Sequence, residues 1–142
     1  MNSSPDSAER GRPHIGAEAT VEKIIPPEWT LAAFDPHLPP VLSTPAMIGM
    51  MEVAAAKAVQ PLLPEGSITV GTRIEVDHLK AVPAGTLVYA TARLSRYEGR
   101  FLIFDVEART AGVTLGRGRV FRAIVEPKSF SARADARSRH TE

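Results

Sequence analysis

The order of apolar and polar positions divides the chain into a strand, a long loop, one buried helix and a run of four strands. Ala17 to Ile25 (AEATVEKII) reads as the first strand. Residues 26–43 follow without clear periodicity, with prolines at 26, 27, 36, 39 and 40. That is long for a connection in a compact domain, and such segments often serve as lids or binding loops. Thr44-Pro45 then marks a helix start, because threonine caps and proline suits the first helical position. In the following AMIGMMEVAAAKAVQPLL the apolar residues wrap most of the way round, so this helix is expected to be largely buried, and Pro61 and Pro64 end it. Four strand-like segments complete the pattern: Ser67 to Leu79, Gly85 to Tyr97, Arg100 to Thr110 and Val113 to Val125. Glu98-Gly99 and Ala111-Gly112 suit tight hairpin turns, and Pro83-Ala84-Gly85 separates the second strand from the third.

A single helix that is apolar nearly all round needs cover on most sides, and a curved antiparallel sheet supplies it. The expected fold class is therefore α+β: a hot-dog fold, with a five-stranded antiparallel sheet wrapped around one long central helix. Its expected bounds are residues 14–126. Residues 1–13 form a polar tail expected to be disordered. Residues 127–142 form a weakly apolar tail, either a frayed helix or loose chain. An open sheet edge and a partly exposed face favour a homodimer, with a tetramer also compatible.

Composition narrows the function. The chain has 142 residues, 44% hydrophobic and 23% charged, which suits one globular domain. Lys plus Arg is 17 and Asp plus Glu is 16, a net charge of +1 that gives no electrostatic footprint for nucleic acid. There is no cysteine, which excludes disulfides, cysteine nucleophiles and thiolate metal sites and fits a reducing compartment. No metal or other cofactor is expected. The N-terminus lacks the apolar core of a signal peptide. The most apolar stretch, Pro45 to Ala56, is interrupted by Glu52 and too short to span a bilayer. A soluble, cytoplasmic protein without a membrane partner is the expectation.

Three residues stand out as candidates for chemistry. Glu52 is the only charged residue between Asp35 and Lys57. Either it points to solvent or a backbone donor, or it is a carboxylate held in an apolar site for general-base work. Strand alternation puts Val70, Thr72, Ile74, Val76 and His78 on one face and Arg73, Glu75 and Asp77 on the other. His78 then joins the helix-covering face, as a neutral core histidine or as a group converging on Glu52. Thr44 reads first as the helix cap, although a hydroxyl there also lies where an oxyanion would be stabilised. Thr44 and Glu52 are eight positions apart, which is roughly 12 Å of helix. They cannot bond directly, so either a substrate or water chain lies between them or the site is composed across a dimer interface, the preferred explanation. Gly71 is either a bulge or a point of close backbone approach. Gly116-Arg117-Gly118-Arg119 reads as a bulged strand and does not match a phosphate loop. Arg122, in step with Val120 and Ile124, would hold a phosphate, a carboxylate or Glu52, or face solvent if a bulge reverses the alternation.

Residues 41–126 resemble the fluoroacetyl-coenzyme A thioesterase-like family of hot-dog proteins. The segments that carry the resemblance are STPAMIGMMEVAA, EGSITVGTRIEVDHLKAVPAGTLV and GRGRVFRAIV. The combination is specific: a threonine, a glutamate eight residues on, then Gly-Thr followed by a histidine. The resemblance implies active-site roles for Thr44, Glu52 and His78. It also implies that Gly71 lies near the thioester carbonyl and Arg122 in the site region. In the member selective for fluoroacetyl groups, phenylalanines precede the threonine; the matched positions here hold Asp35 and Leu38, with Phe34 nearby but shifted. Leu38 and Phe34 are thus candidate acyl contacts, and no strong fluoroacetyl preference is expected. The expected activity is metal-independent hydrolysis of a short- to medium-chain acyl-CoA or acyl-carrier thioester. The rivals are an enoyl-thioester hydratase using Asp77 and His78, and a non-catalytic acyl-thioester-binding protein.

Overall fold

A computed structural model of the protein describes residues 12–139, so most of the N-terminal tail lies outside the described residues. Strand β1 (Glu18–Ile24) leads through loop 26–43 to helix α1 (Thr44–Val59). Strands β2 (Ile68–His78), β3 (Leu87–Glu98), β4 (Phe101–Thr110) and β5 (Val113–Val125) follow, and helix α2 (Pro127–Ser138) closes the described chain. All pairings are antiparallel, in the order β1-β3-β4-β5-β2, so β1 and β2 are the edges. This five-stranded sheet curled round one main helix is the expected hot-dog arrangement. The tail from Pro127 resolves into a helix because Glu126 caps it, accepting from the amides of Lys128 and Ser129.

Helix α1 is buried along Met47, Met50, Met51, Ala54, Ala55, Ala58 and Val59. It packs on the inward side chains of β3, where Ala90 and Ala92 let it approach closely, and on Leu102 and Phe104 of β4. Full burial of each large side chain contributes roughly 1.5–3 kcal/mol. The helix lies chiefly over β1 and β3, and less over β5 and β2. The inner face of edge strand β2 is therefore incompletely covered, and Ile74 is 38% exposed. Gly116 turns inward on β5, where a Cβ would run into the Met47 sulfur at 2.6 Å. Arg117 and Arg119 point outward, so this stretch is sheet and not a phosphate loop.

Two expectations change. The register of β2 slips between Gly71 and Arg73, making Thr72 the extra residue of a bulge. Ile74, Val76 and His78 keep the inward phase, but before the bulge the inward residues are Thr69 and Gly71, and Val70 and Thr72 belong to the outer face. The expected single face for Val70 through His78 is thus broken by one inserted residue. Thr44 is also not the cap. Ser43 is, its hydroxyl accepting from the Ala46 amide at 3.3 Å, while Thr44 is the first helical residue and its hydroxyl does not cap the helix.

Loop 26–43 is pinned at its base. The Ser43 amide donates to the Trp29 carbonyl, Leu31 to Val41, and Leu42 to Val82. The long exposed stretch of the loop is 33–40.

Candidate active site

The inner face of β2 and one flank of α1 assemble two polar pairs. At the N-terminal end of α1, Thr44 Oγ1 and His78 Nδ1 lie 2.7 Å apart in a hydrogen bond. Because Ser43 satisfies the helix amide, the Thr44 hydroxyl is available to fix the imidazole ring. His78 Nε2 is buried and has no hydrogen-bond partner among the described residues. The pair opens onto a cleft of about 230 Å³ lined also by Leu31, Val41, Leu42, Leu79, Lys80 and Ala81.

Two turns along α1, Glu52 meets Arg122. Glu52 Oε1 and Arg122 Nη1 are 2.9 Å apart, yet Oε1 accepts no aligned hydrogen bond, so the contact is charge attraction alone. Arg122 is buried and held from behind: Nε donates to Thr69 Oγ1 at 2.9 Å and Nη2 to the Thr69 carbonyl at 2.8 Å. Of the positions left open for Arg122, the inside one is observed, with Glu52 as its partner. Gly71 abuts the Glu52 carboxylate so closely that a Cβ there would collide with it. Gly71 is therefore both a bulge neighbour and a close approach. A buried, unaligned carboxylate oxygen beside a guanidinium is costly unless something else uses it.

The two pairs do not meet within one chain. Glu52 sits against Gly71, and His78 lies seven residues further along β2, roughly 20 Å at strand spacing. Within one chain His78 and Glu52 do not converge, because a shared face does not mean a shared level along the strand. Ile48 falls midway between Thr44 and Glu52 on the same flank, half-buried and outside the core cluster. Phe34 (69% exposed) and Leu38 (41%) sit on the exposed stretch of loop 26–43. The cleft is lined by Leu31 and Val41 of that loop instead. Asp77 faces the outer side of the sheet, grouped with Glu18, Asp105 and Arg117, so the Asp77–His78 pair of a hydratase is not assembled.

Sequence reasoning missed Thr69 and Lys80. Thr69 was hidden by the bulge: unbroken alternation would place it outside with Arg73 and Glu75, and the extra residue Thr72 turns it inside. Lys80 lies just past the end of β2, where alternation no longer applies. Among the described residues no group of three or more His, Asp or Glu side chains has metal-binding geometry. No described helix is long and apolar enough to cross a membrane.

Residues 25–128 match the model of the fluoroacetyl-CoA-specific thioesterase family. The chain belongs to that family. A fluoroacetyl-CoA thioesterase of Streptantibioticus cattleyicolor is 34% identical over 125 residues, covering 84% of this chain and 90% of the relative. A solved structure of a fluoroacetyl-CoA thioesterase superposes with a TM-score of 0.81 at 32% identity, covering 90% of this chain and 98% of the other. A Thermus thermophilus protein described as a thioesterase superfamily member gives 0.83 at 31% identity, with 89% and 95% covered. For a member of this thioesterase family, the elements carrying Thr44, Glu52, Gly71, His78 and Arg122 all fall inside the matched span.

Proposed function

We propose that the protein hydrolyses short- to medium-chain acyl-CoA thioesters at two equivalent sites of a homodimer. Each site is built from Thr44 and His78 of one protomer with Glu52, Gly71 and Arg122 of its partner. Family membership makes thioester hydrolysis the chemistry. The observation that carries the site is the pair of buried polar atoms left without hydrogen bonds, His78 Nε2 and Glu52 Oε1. Buried polar atoms are rarely left so, and each calls for a partner.

A twofold axis supplies both partners at once. Strand β2 is an edge, and an edge invites antiparallel pairing with a second copy. Pairing about its middle, near Ile74 and Glu75, sets His78 beside the partner's Gly71 and so beside the partner's Glu52. The same axis brings Thr44 opposite the partner's Glu52 if it passes Ile48, the midpoint of the two on α1. Ile48, at the helix midpoint, and Ile74, beside the strand midpoint, are both left incompletely buried and outside the core by the single chain.

In that arrangement the thioester carbonyl lies between His78 and the partner's Glu52. Glu52 either takes the proton of an attacking water or attacks the carbonyl itself to form an acyl anhydride that water then opens. His78 delivers a proton to the departing thiolate. Thr44 holds the ring by its Nδ1 and places the helix N-terminus near the developing oxyanion. Net, water and thioester give free acid and thiol. The acyl group is short to medium, and with Asp35 and Leu38 in the loop no strong fluorinated preference is expected.

The test is thiol release from a panel of acyl-CoAs, fluoroacetyl and acetyl included, by wild type, His78→Ala, Glu52→Gln and the double variant. Each single substitution should lower kcat by at least about 10²-fold, and the double should lose little more, as for groups acting as a unit. Unfolding and reassociating the two inactive single variants together should restore about one quarter of wild-type activity, since half the dimers are mixed and each holds one intact site. No restoration, or a monomer by light scattering, overturns the shared site. A fluoroacetyl preference above about a thousandfold, on the order of 4 kcal/mol, overturns the acyl assignment.

A further inference from the structure

Helix α2 crosses the outer face of the sheet and leaves a groove of about 220 Å³ between itself and the ends of β2, β4 and β5. Its walls are Arg100, Arg133 and Arg137, the rings of Phe101 and Phe130, and Thr72. Phe130, Arg133 and Arg137 are spaced three and four residues apart, so one face of α2 turns all three toward the sheet. None of the three arginines forms an ion pair among the described residues. Arg100 stacks over the Phe101 ring, 5.1 Å from its centre. Of the nearby acids, Glu126 caps the α2 amides and bonds the Ser129 hydroxyl, with Arg133 in electrostatic reach but no ion pair, and Asp135 does not line the groove. Three arginines therefore line one small cleft in a chain whose net charge is only +1.

Solvation alone does not explain this grouping. Like charges at neighbouring helix positions repel, and half-exposed phenylalanines beside them gain nothing from water. A ligand with several phosphate charges and a flat ring explains both. Guanidiniums grip phosphate oxygens in bidentate fashion, and aromatic rings and arginine planes stack on a base.

We propose that this groove takes the 3′-phosphorylated ADP end of coenzyme A. The inference rests on the thioesterase reading above and makes the nucleotide, not a carrier protein, the handle by which the substrate is recognised. Its position supports this. Val70 and Thr72 line the groove from the outer face of β2, flanking Gly71, whose inner side meets Glu52. Ala123 lines it on β5, next to Arg122. The groove and the carboxylate are thus two faces of the same strand ends, and the pantetheine arm would link them round the end of the sheet.

Two measurements on the full-length protein test this. Direct calorimetric binding of adenosine 3′,5′-bisphosphate needs no turnover, so it reads the groove even if the thioesterase reading fails. Wild type should bind it in a salt-sensitive way, and Arg133→Ala/Arg137→Ala should bind it at least about tenfold more weakly while melting as wild type does, since α2 buries no residue of its own. In turnover, the double variant should raise KM for acyl-CoA at least about tenfold with kcat kept, and leave the acyl-pantetheine thioester, which lacks the nucleotide, unaffected. Arg133→Lys/Arg137→Lys should recover part of the loss. Equal losses on acyl-CoA and acyl-pantetheine would mean the arginines act through the fold and would overturn the proposal. So would unchanged nucleotide binding. Loss confined to an acyl carrier protein substrate would assign the groove to that acidic protein and overturn the nucleotide.

Discussion

Replacing Gly71 by alanine tests the site through one added methyl group. Its Cβ would stand 3.2 Å from Glu52 Cδ and 3.3 Å from Oε1, and nearer still to Oε2. Ordinary contact needs about 3.5 Å or more, so the carboxylate must withdraw by on the order of 1 Å. The withdrawal itself is cheap, because Glu52 is a flexible side chain still 28% exposed. Its consequence for chemistry is not, since a misplacement of about 1 Å can lower a rate about 10²-fold. Gly71→Ala should therefore keep its thermal midpoint within a few degrees of wild type while kcat falls about 10²-fold. Gly49→Ala is the matched control. A Cβ at Gly49 meets nothing within 4 Å, and alanine in a helix interior should add up to about 1 kcal/mol of stability. Thiol-release kinetics beside thermal unfolding of both variants decide the matter. A folded Gly71→Ala enzyme with turnover within threefold of wild type would refute the idea that the Glu52 carboxylate works from its observed position.

Two further outcomes follow from the ionic groups. Arg122→Met strips Glu52 of its cation and leaves Thr69 without its donor; breaking a buried pair costs about 3–5 kcal/mol, and the partial exposure of Glu52 lowers the expected loss to about 2–3 kcal/mol. Denaturant unfolding measures it, and Arg122→Met/Glu52→Gln should recover part of the loss. Glu126 has its carboxyl held below the usual carboxylate range, first by the Ser129 hydroxyl and then by the amides of Ser129 and Lys128. A depressed pKa stabilises the folded form above the unfolded value and loses that stabilisation as pH falls through the folded one. Amide exchange in the first turn of α2 should therefore be slower in wild type than in Glu126→Ala at pH 6, with the difference shrinking as pH falls below the ordinary carboxylate range; equal protection at pH 6 would exclude the cap.

The strands, the single helix and the hairpins were legible because each rests on local pattern. Val113–Val125 spans the expected residues, and α1 begins at Thr44 and gives way to a short 3-10 turn at Pro61. The Ala111-Gly112 turn shows positive φ at both residues, as its hairpin geometry demands. The bulge at Thr72 was not legible, because a single extra residue leaves the apolar count of the strand unchanged while reversing its phase. It concealed Thr69 and placed Val70 on the wrong face. The cap moved by one residue for a similar reason: Ser43 and Thr44 are both good caps by chemistry, and only the chain's entry from loop 26–43 decides between them. Glu52 stood out because a lone charge in an apolar helix is rare. Its partner Arg122 was one of several possibilities until the fold set the level of each side chain along its strand.

Level, more than face, is what explains the division of the site. A helix advances about 1.5 Å per residue and a strand about 3.3 Å, so groups that share a face drift apart quickly when their elements run alongside one another. Thr44 to Glu52 on α1 and His78 to Gly71 on β2 run between the same two polar clusters, and each cluster ends in a buried atom with no partner. No side-chain rotation within one chain closes a gap of two helical turns. A twofold axis does so without moving any element, because it inverts the order of both α1 and β2 and superimposes the end of one on the beginning of the other. In the proposed dimer the polar clusters are complete only where two chains meet. The incompletely buried Ile48 and Ile74 lie between them, where an apolar seam would exclude water from the thioester.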